Sequence, residues 1–329
     1  MGKNSLDGSV ASWAGAMGGF KALWDNAGML LVFALVFMGC AAFVPRFLSG
    51  RNLELMALSV SMMGMVACTM LFCLASGHFD LSVGSVVATS SVVTAMALNA
   101  TDSIVVGIAA GMLAGGVVGV LNGLIIAKYR INALITTLAT MQIVRGAGQI
   151  ISKGASINIS KESFFVLGQS SMLGVVTPVW ITLGCFVLFG LLLRGTTYGR
   201  NTLAVGGNEE AARLAGIAVD RIKITIFTLQ GLMAGAAGVI YASRFELGNA
   251  SKTAIGFELQ VISACVLGGV SMSGGIGTIW FAIAGVLIMG TVENAMTLRQ
   301  IDPFWQRVVT GAILLAAVMF DRFKQSRGK

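Results

Sequence analysis

The chain has 329 residues, of which 56% are hydrophobic and only 11% charged, with a mean hydropathy of +0.86. A soluble domain carries about 25% charged residues, so this composition excludes an ordinary water-soluble globule and makes the bilayer the natural solvent. The net charge of +8 comes from Lys and Arg placed between apolar runs, with no basic stretch interleaved with aromatics; it reads as a topology signal and not as a nucleic-acid surface.

Residues 1–26 are polar and glycine-rich, with Lys3 and Lys21. No small-residue cleavage site follows a short apolar core, so this stretch is expected to be a cytoplasmic N-terminal segment and not a signal peptide. Apolar runs follow at 27–44, 53–75, 83–99, 104–127, 133–151, 178–193, 222–243, 258–268, 278–292 and 306–320. A span needs about 20 apolar residues, and the eighth run is too short to cross alone. A polar stretch covers 152–177, and the most hydrophilic internal segment is 194–223. A basic tail, 321–329, closes the chain.

The expected fold is an all-α polytopic membrane protein of about 10 transmembrane helices, with discontinuous helices near 77–85 and 268–277. Residues 27–320 then form one transmembrane domain. Ten spans place both termini on one side. With the N-terminus inside, 13 Lys and Arg fall on inner segments and 8 on outer ones, which favours cytoplasmic termini. Three prolines and 43 glycines suit membrane helices whose backbones approach closely. Cys40, Cys68, Cys73, Cys185 and Cys265 lie in apolar runs without a C-x-x-C pair, so they read as buried small side chains, with no disulfide framework and no metal site.

The stretch "LASGHFDLSVGS", 74–85, holds the chain's one histidine, His78, two residues from Asp80. One His and one Asp cannot complete a metal shell. A hydrolase would have to pair His78 with Ser271 in "GVSMSGG", a superficial match to a nucleophile motif. A proton relay through Asp80 and His78 is a second possibility, because ionisable groups inside a membrane are costly and usually functional. The third is a broken helix in which Gly77 ends one half and Asp80 or Ser82 caps the next; such a break is tolerated where it lines a cavity. "GGVSMSGGIG", 268–277, is a looser echo of the same pattern, and paired interruptions are a transporter trait.

Asn132, Thr136 and Thr140 recur every four residues and share one helix face. They are candidates either for lining a pathway or for bonding between helices. In "GGNEEAARLAGI", 206–217, Asn208 suits an N-cap, Glu209 and Glu210 the first turn, and Gly216 the C′ position. The result is a helix of about two turns, too short to stand alone in water. Trp180, Trp280 and Trp305 fall near run ends, as interfacial anchors do.

"GHFDLSVGS", "INALITTLATMQIVRG", "GRNTLAVGGNEEAARLAGI", "VISACVLGGVSMSGGIG" and "GTVENAM" together resemble the permease subunits of bacterial sugar ABC importers of the ribose, xylose and arabinose group, nearest to its arabinose branch. The likeness covers nearly the whole chain beyond residue 27. His78 departs from the family signature.

The resemblance implies a membrane permease for a pentose such as L-arabinose, in the bacterial inner membrane. It implies a second permease copy, a cytoplasmic two-module ATPase that holds ATP and Mg, and a periplasmic sugar-binding protein. No phosphate-cradling G-x-x-x-x-G-K-[ST] motif occurs in this chain, so it should carry no cofactor and catalyse nothing itself. The resemblance makes Gly207, Asn208, Glu209, Glu210, Ala211, Ala212 and Gly216 the ATPase-coupling residues, with Ala211 and Ala212 at the contact. It allows a role in the translocation pathway for Asp80 and Ser82, and the expected pathway residues are Phe79, Asp80 and Ser82 with Asn132, Thr136 and Thr140 from their shared helix face. The rival is a stand-alone proton-coupled carrier using Asp80 and His78.

Overall fold

The computed structural model describes residues 28–326. The expected N-terminal segment 1–26, with Lys3 and Lys21, and the tail residues Arg327 and Lys329 lie outside the described residues.

Each of the ten apolar runs coincides with a helix. These are α1 (Gly28–Phe43), α2 (Gly50–Ala75), α3 (Val83–Thr101), α4 (Ile104–Lys128) and α5 (Ala133–Ile151). After a short α6 (Val166–Gln169) come α7 (Thr177–Gly195), α8 (Thr197–Gly207), α9 (Glu209–Leu214) and α10 (Val219–Phe245). The last are α11 (Phe257–Leu267), α12 (Ile279–Leu298) and α13 (Pro303–Ser326). Seven of these are long and apolar enough to cross a membrane, while α1 and α11 are shorter apolar helices. The chain is a polytopic all-α membrane protein. α13 continues six residues past the expected end of the last span.

Glycine sets the closest packing. Gly107, Gly111, Gly115, Gly119 and Gly123 recur every four residues on α4 and are all buried. A side chain at Gly115 would strike the Gly231 carbonyl, and one at Gly119 the Phe227 carbonyl. α4 and α10 therefore meet backbone to backbone, which only a stripe of small residues permits. The apolar core centres on α2, with Phe72, Met70 and Leu71 almost fully enclosed.

The expected interruption at 77–85 is present as a non-helical link, 76–82, between α2 and α3. Gly77, at φ +77°, ends α2. His78 N–H donates to Cys73 O at 2.9 Å and Gly77 N–H to Leu74 O at 2.8 Å, the paired bonds of a Schellman ending, which needs a left-handed residue at C′. The second interruption, 268–278, separates α11 from α12, and Gly275 N–H donates to Ala75 O at 2.8 Å. The two breaks thus meet in the same half of the bundle.

A third non-helical stretch, 246–256, was not foreseen. It returns from the far end of α10 along α3, with Gly248 against Ser91 and Ala254 beside Gly84. Arg145 on α5 holds it by donating to the carbonyls of Thr253 (2.6 Å), Ala250 (3.0 Å) and Ala254 (3.3 Å). Exposed backbone carbonyls are costly in a membrane, and one guanidinium meets three of them. A strand pair, Ile157–Asn158 with Leu247–Gly248, closes the start of this stretch.

Candidate functional site

The link 76–82 does not lie at the ends of its neighbours. Asp80 Oδ1 accepts from Ser82 N–H at 2.8 Å and from Ser82 Oγ at 2.6 Å. Ser82 Oγ accepts from Asn122 Nδ2 at 3.1 Å, and Asn122 Oδ1 accepts from Thr140 Oγ1 at 2.7 Å. Asn122 stands six residues before the end of α4, and Thr140 seven residues into α5. At about 1.5 Å per residue, the start of α3 sits roughly 10 Å inside the bundle. Asp80, Ser82 and Asn122 are buried there. Neither Asp80 nor Ser82 caps the first turn of α3 with its side chain: Asp80 holds Ser82, the residue before the helix, and the donors in the chain Thr140–Asn122–Ser82 run towards its carboxylate.

His78 belongs to a different group. Its Nδ1 lies 2.8 Å from Ser76 O, so that nitrogen carries the proton and donates. The ring stands edge-on to Phe227. His78 is bonded within its own turn and not to Asp80. It lines a cavity of 440 Å³ with Phe79, Asn132, Glu209 and Lys223.

The expected pathway residues therefore divide. Phe79 and Asn132 line this cavity. Asp80, Ser82 and Thr140 are joined through Asn122, which the sequence reading passed over. Thr136 is buried, its hydroxyl returned to Asn132 O at 3.1 Å. Asn132 caps α5, accepting from Leu134 N–H at 2.8 Å.

At the same end, α8 seats Gly206 against Ala75 and Gly275. α9 follows as a projecting helix of 6 residues. Asn208 Oδ1 accepts from Ala211 N–H at 2.9 Å. Gly216, at φ +84°, is the C′ residue: Ile217 N–H donates to Ala212 O and Gly216 N–H to Arg213 O, each at 3.0 Å. Glu209 anchors α9 to α10 through Lys223 Nζ at 2.8 Å and also meets Arg213 at 3.4 Å. Partial burial works against the Glu209 charge, but the Lys223 hydrogen bond and charge outweigh it and hold the carboxyl below its ordinary range.

One expected contact residue is misplaced. Ala212 points inward at 5% exposure and packs into the core, because it falls on the face of α9 that docks on the bundle. Its neighbours Glu210, Ala211, Ala215 and Gly216 are exposed. Leu214 stands at 86% exposure, and the sequence reading did not single it out.

At the other end of the bundle a cavity of 640 Å³ opens between α2, α11, α12 and α13. Asn52 and Asn294 face each other across its wall in a closed amide pair, with both Nδ2–Oδ1 distances 2.9 Å. Gln260, Ser263 and Glu293 add polar lining. The sequence shows no such cluster, because its members come from helices far apart in the chain. Among the described residues no three His, Cys, Asp or Glu side chains gather to hold a metal.

The family model described as branched-chain amino acid transport system / permease component matches residues 52–318. The L-arabinose transport system permease protein AraH of Escherichia coli (strain K12) is 60% identical over 93% of this chain and 93% of the relative. The L-arabinose ABC transporter permease protein AraH of Azospirillum brasilense is 51% identical over 98% and 95%. The ribose import permease protein RbsC of Bacillus subtilis (strain 168) is 40% identical over 86% and 88%. No solved structure matches the chain.

Proposed function

This chain belongs to the branched-chain amino acid transport system / permease component family, and from that premise we propose that it is the membrane-spanning subunit of an ATP-driven L-arabinose importer. The observation that carries the cargo is the 60% identity, along 93% of the chain, to an L-arabinose permease. The geometry fits the task. A cavity with polar groups in its wall opens at one end of the bundle, and a short anchored helix stands exposed at the other.

In this reading α9 is the contact with a cytoplasmic two-module ATPase, which binds the ATP and Mg. Gly207, Asn208, Glu210, Ala211, Leu214 and Gly216 present the contact face, and Glu209 and Ala212 hold it in place. Phe79 and Asn132 line the inner mouth of the pathway; Asp80, Ser82 and Thr140 keep the broken helix open beside it. A second permease copy covers this cavity, where Asn52, Gln260 and Glu293 stand among apolar side chains and are unfit to face lipid. A periplasmic binding protein delivers the sugar there.

Alternation of the helices along the chain supports an inner-membrane topology in which both termini share the cytoplasmic face with α9. Residues 27–320 then form the single transmembrane domain. Uptake of labelled L-arabinose into vesicles holding permease, ATPase and binding protein, competed with unlabelled pentoses, tests the assignment. Saturable uptake blocked best by L-arabinose is expected; indifference to L-arabinose would remove it.

A further inference from the structure

The 640 Å³ cavity does not end blindly. A second cavity of 240 Å³ shares Ser59, Gln260 and Glu293 with it and adds Tyr241, Phe245 and Arg244. Glu293 is the unexplained group at this junction. Its Oε1 is buried without a hydrogen-bond partner, and among the described residues no Lys or Arg reaches its carboxylate within ion-pair distance. A carboxyl group held without a partner inside a membrane protein is costly and usually functional. Among the described residues no carboxylate pairs with Arg244; it lies over the Phe245 ring at 5.1 Å and beside Met62 Sδ at 3.8 Å.

An acceptor, an amide, a cation and an aromatic face around one small space are the parts that recognise a polyol. Hydroxyls donate to the carboxylate and accept from the guanidinium, and a C–H face rests on the ring. At about 30 Å³ per water, the inner space matches roughly eight waters, the scale of a monosaccharide. Glu293 stands five residues before the outer end of α12, on the path a sugar would take from the wider cavity.

We propose that this junction is a transit site for the sugar inside the permease, with Glu293 and Gln260 receiving its hydroxyl groups as it leaves the binding protein. The proposal rests on the importer reading above.

The test uses the assembled complex in proteoliposomes and reads labelled sugar taken up per ATP hydrolysed. A transit defect lets ATP cycles run empty, whereas a folding or coupling defect lowers both rates together. Glu293→Gln keeps the size and removes the charge; Gln260→Ala removes the amide. Each should reduce sugar moved per ATP by about tenfold, the scale of one hydrogen bond, without changing the half-saturating concentration of loaded binding protein. An unchanged ratio in both variants, whether the rates are normal or fall in parallel, would overturn the site. If the wild-type complex moves labelled D-ribose and not L-arabinose, the cargo assignment fails, and the same ratio read with D-ribose still decides the site.

Discussion

The Asn122 amide on α4 donates to Ser82 Oγ at 3.1 Å, so an uninterrupted helix holds the start of one that begins inside the bundle. Its other end accepts from Thr140 on α5. Asn122→Leu keeps the bulk and removes both bonds, leaving Ser82 Oγ only its bond to Asp80 and Thr140 Oγ1 only its bond to Thr136 O. Each lost bond costs about 0.5–1.5 kcal/mol. The solubilised permease should melt several degrees lower in a thermal unfolding assay, and an unchanged melting temperature would count against the network.

Asp80 acts in this structure as an acceptor of two donors from Ser82, and an asparagine oxygen can take both. Asp80→Asn should therefore keep most of the uptake, and Asp80→Leu should lose folding or transport. Among the described residues the His78 side chain hydrogen-bonds only to Ser76 in its own turn, so His78→Gly should transport nearly as well as wild type. Loss of uptake in well-inserted Asp80→Asn and His78→Gly would favour the proton-carrier mechanism.

What the sequence made legible was local. Ten apolar runs became ten helices because hydropathy is summed along the chain. Asn208 and Gly216 occupy their cap positions because capping involves neighbours a few residues apart. The inward turn of Ala212 depended on which side of α9 meets α10, and nothing within the helix declares that. Nothing near Arg145 in the sequence declares its role, since its carbonyl partners lie more than a hundred residues away. The outer cavity stayed hidden for the same reason: Asn52 and Asn294 are 242 residues apart.

The coupling surface is set by α9's outward face. Leu214→Asp puts a charge on a side chain that is 86% exposed, so the permease itself should fold normally. Its co-purification with the ATPase should fall about tenfold or more, since each 1.4 kcal/mol is tenfold in affinity. Ala212→Arg should behave differently, lowering the yield of permease because it buries a cation in the core. Retention of the ATPase by Leu214→Asp at wild-type levels would place the contact elsewhere.

The Glu209–Lys223 pair should tie α9 down at neutral pH. Because the folded Glu209 pKa is depressed, the stabilisation is complete above the usual glutamate value of about 4.3. It is lost as pH falls through the lower folded value. Proteolysis of the 208–216 segment should thus be unchanged between pH 8 and pH 5 and rise only in stronger acid. Lys223→Met should raise it across the range. Equal resistance in Lys223→Met would show that the ion pair is not the anchor.

The central claim is that this chain moves sugar only when a separate subunit hydrolyses ATP. The direct measurement is accumulation of labelled L-arabinose in proteoliposomes that hold either the permease alone under an imposed pH gradient, or the permease with its ATPase, binding protein and internal ATP. The account predicts accumulation in the second preparation, abolished when ATP is replaced by a non-hydrolysable analogue, and none in the first. Accumulation by the permease alone, driven by the pH gradient, would contradict it.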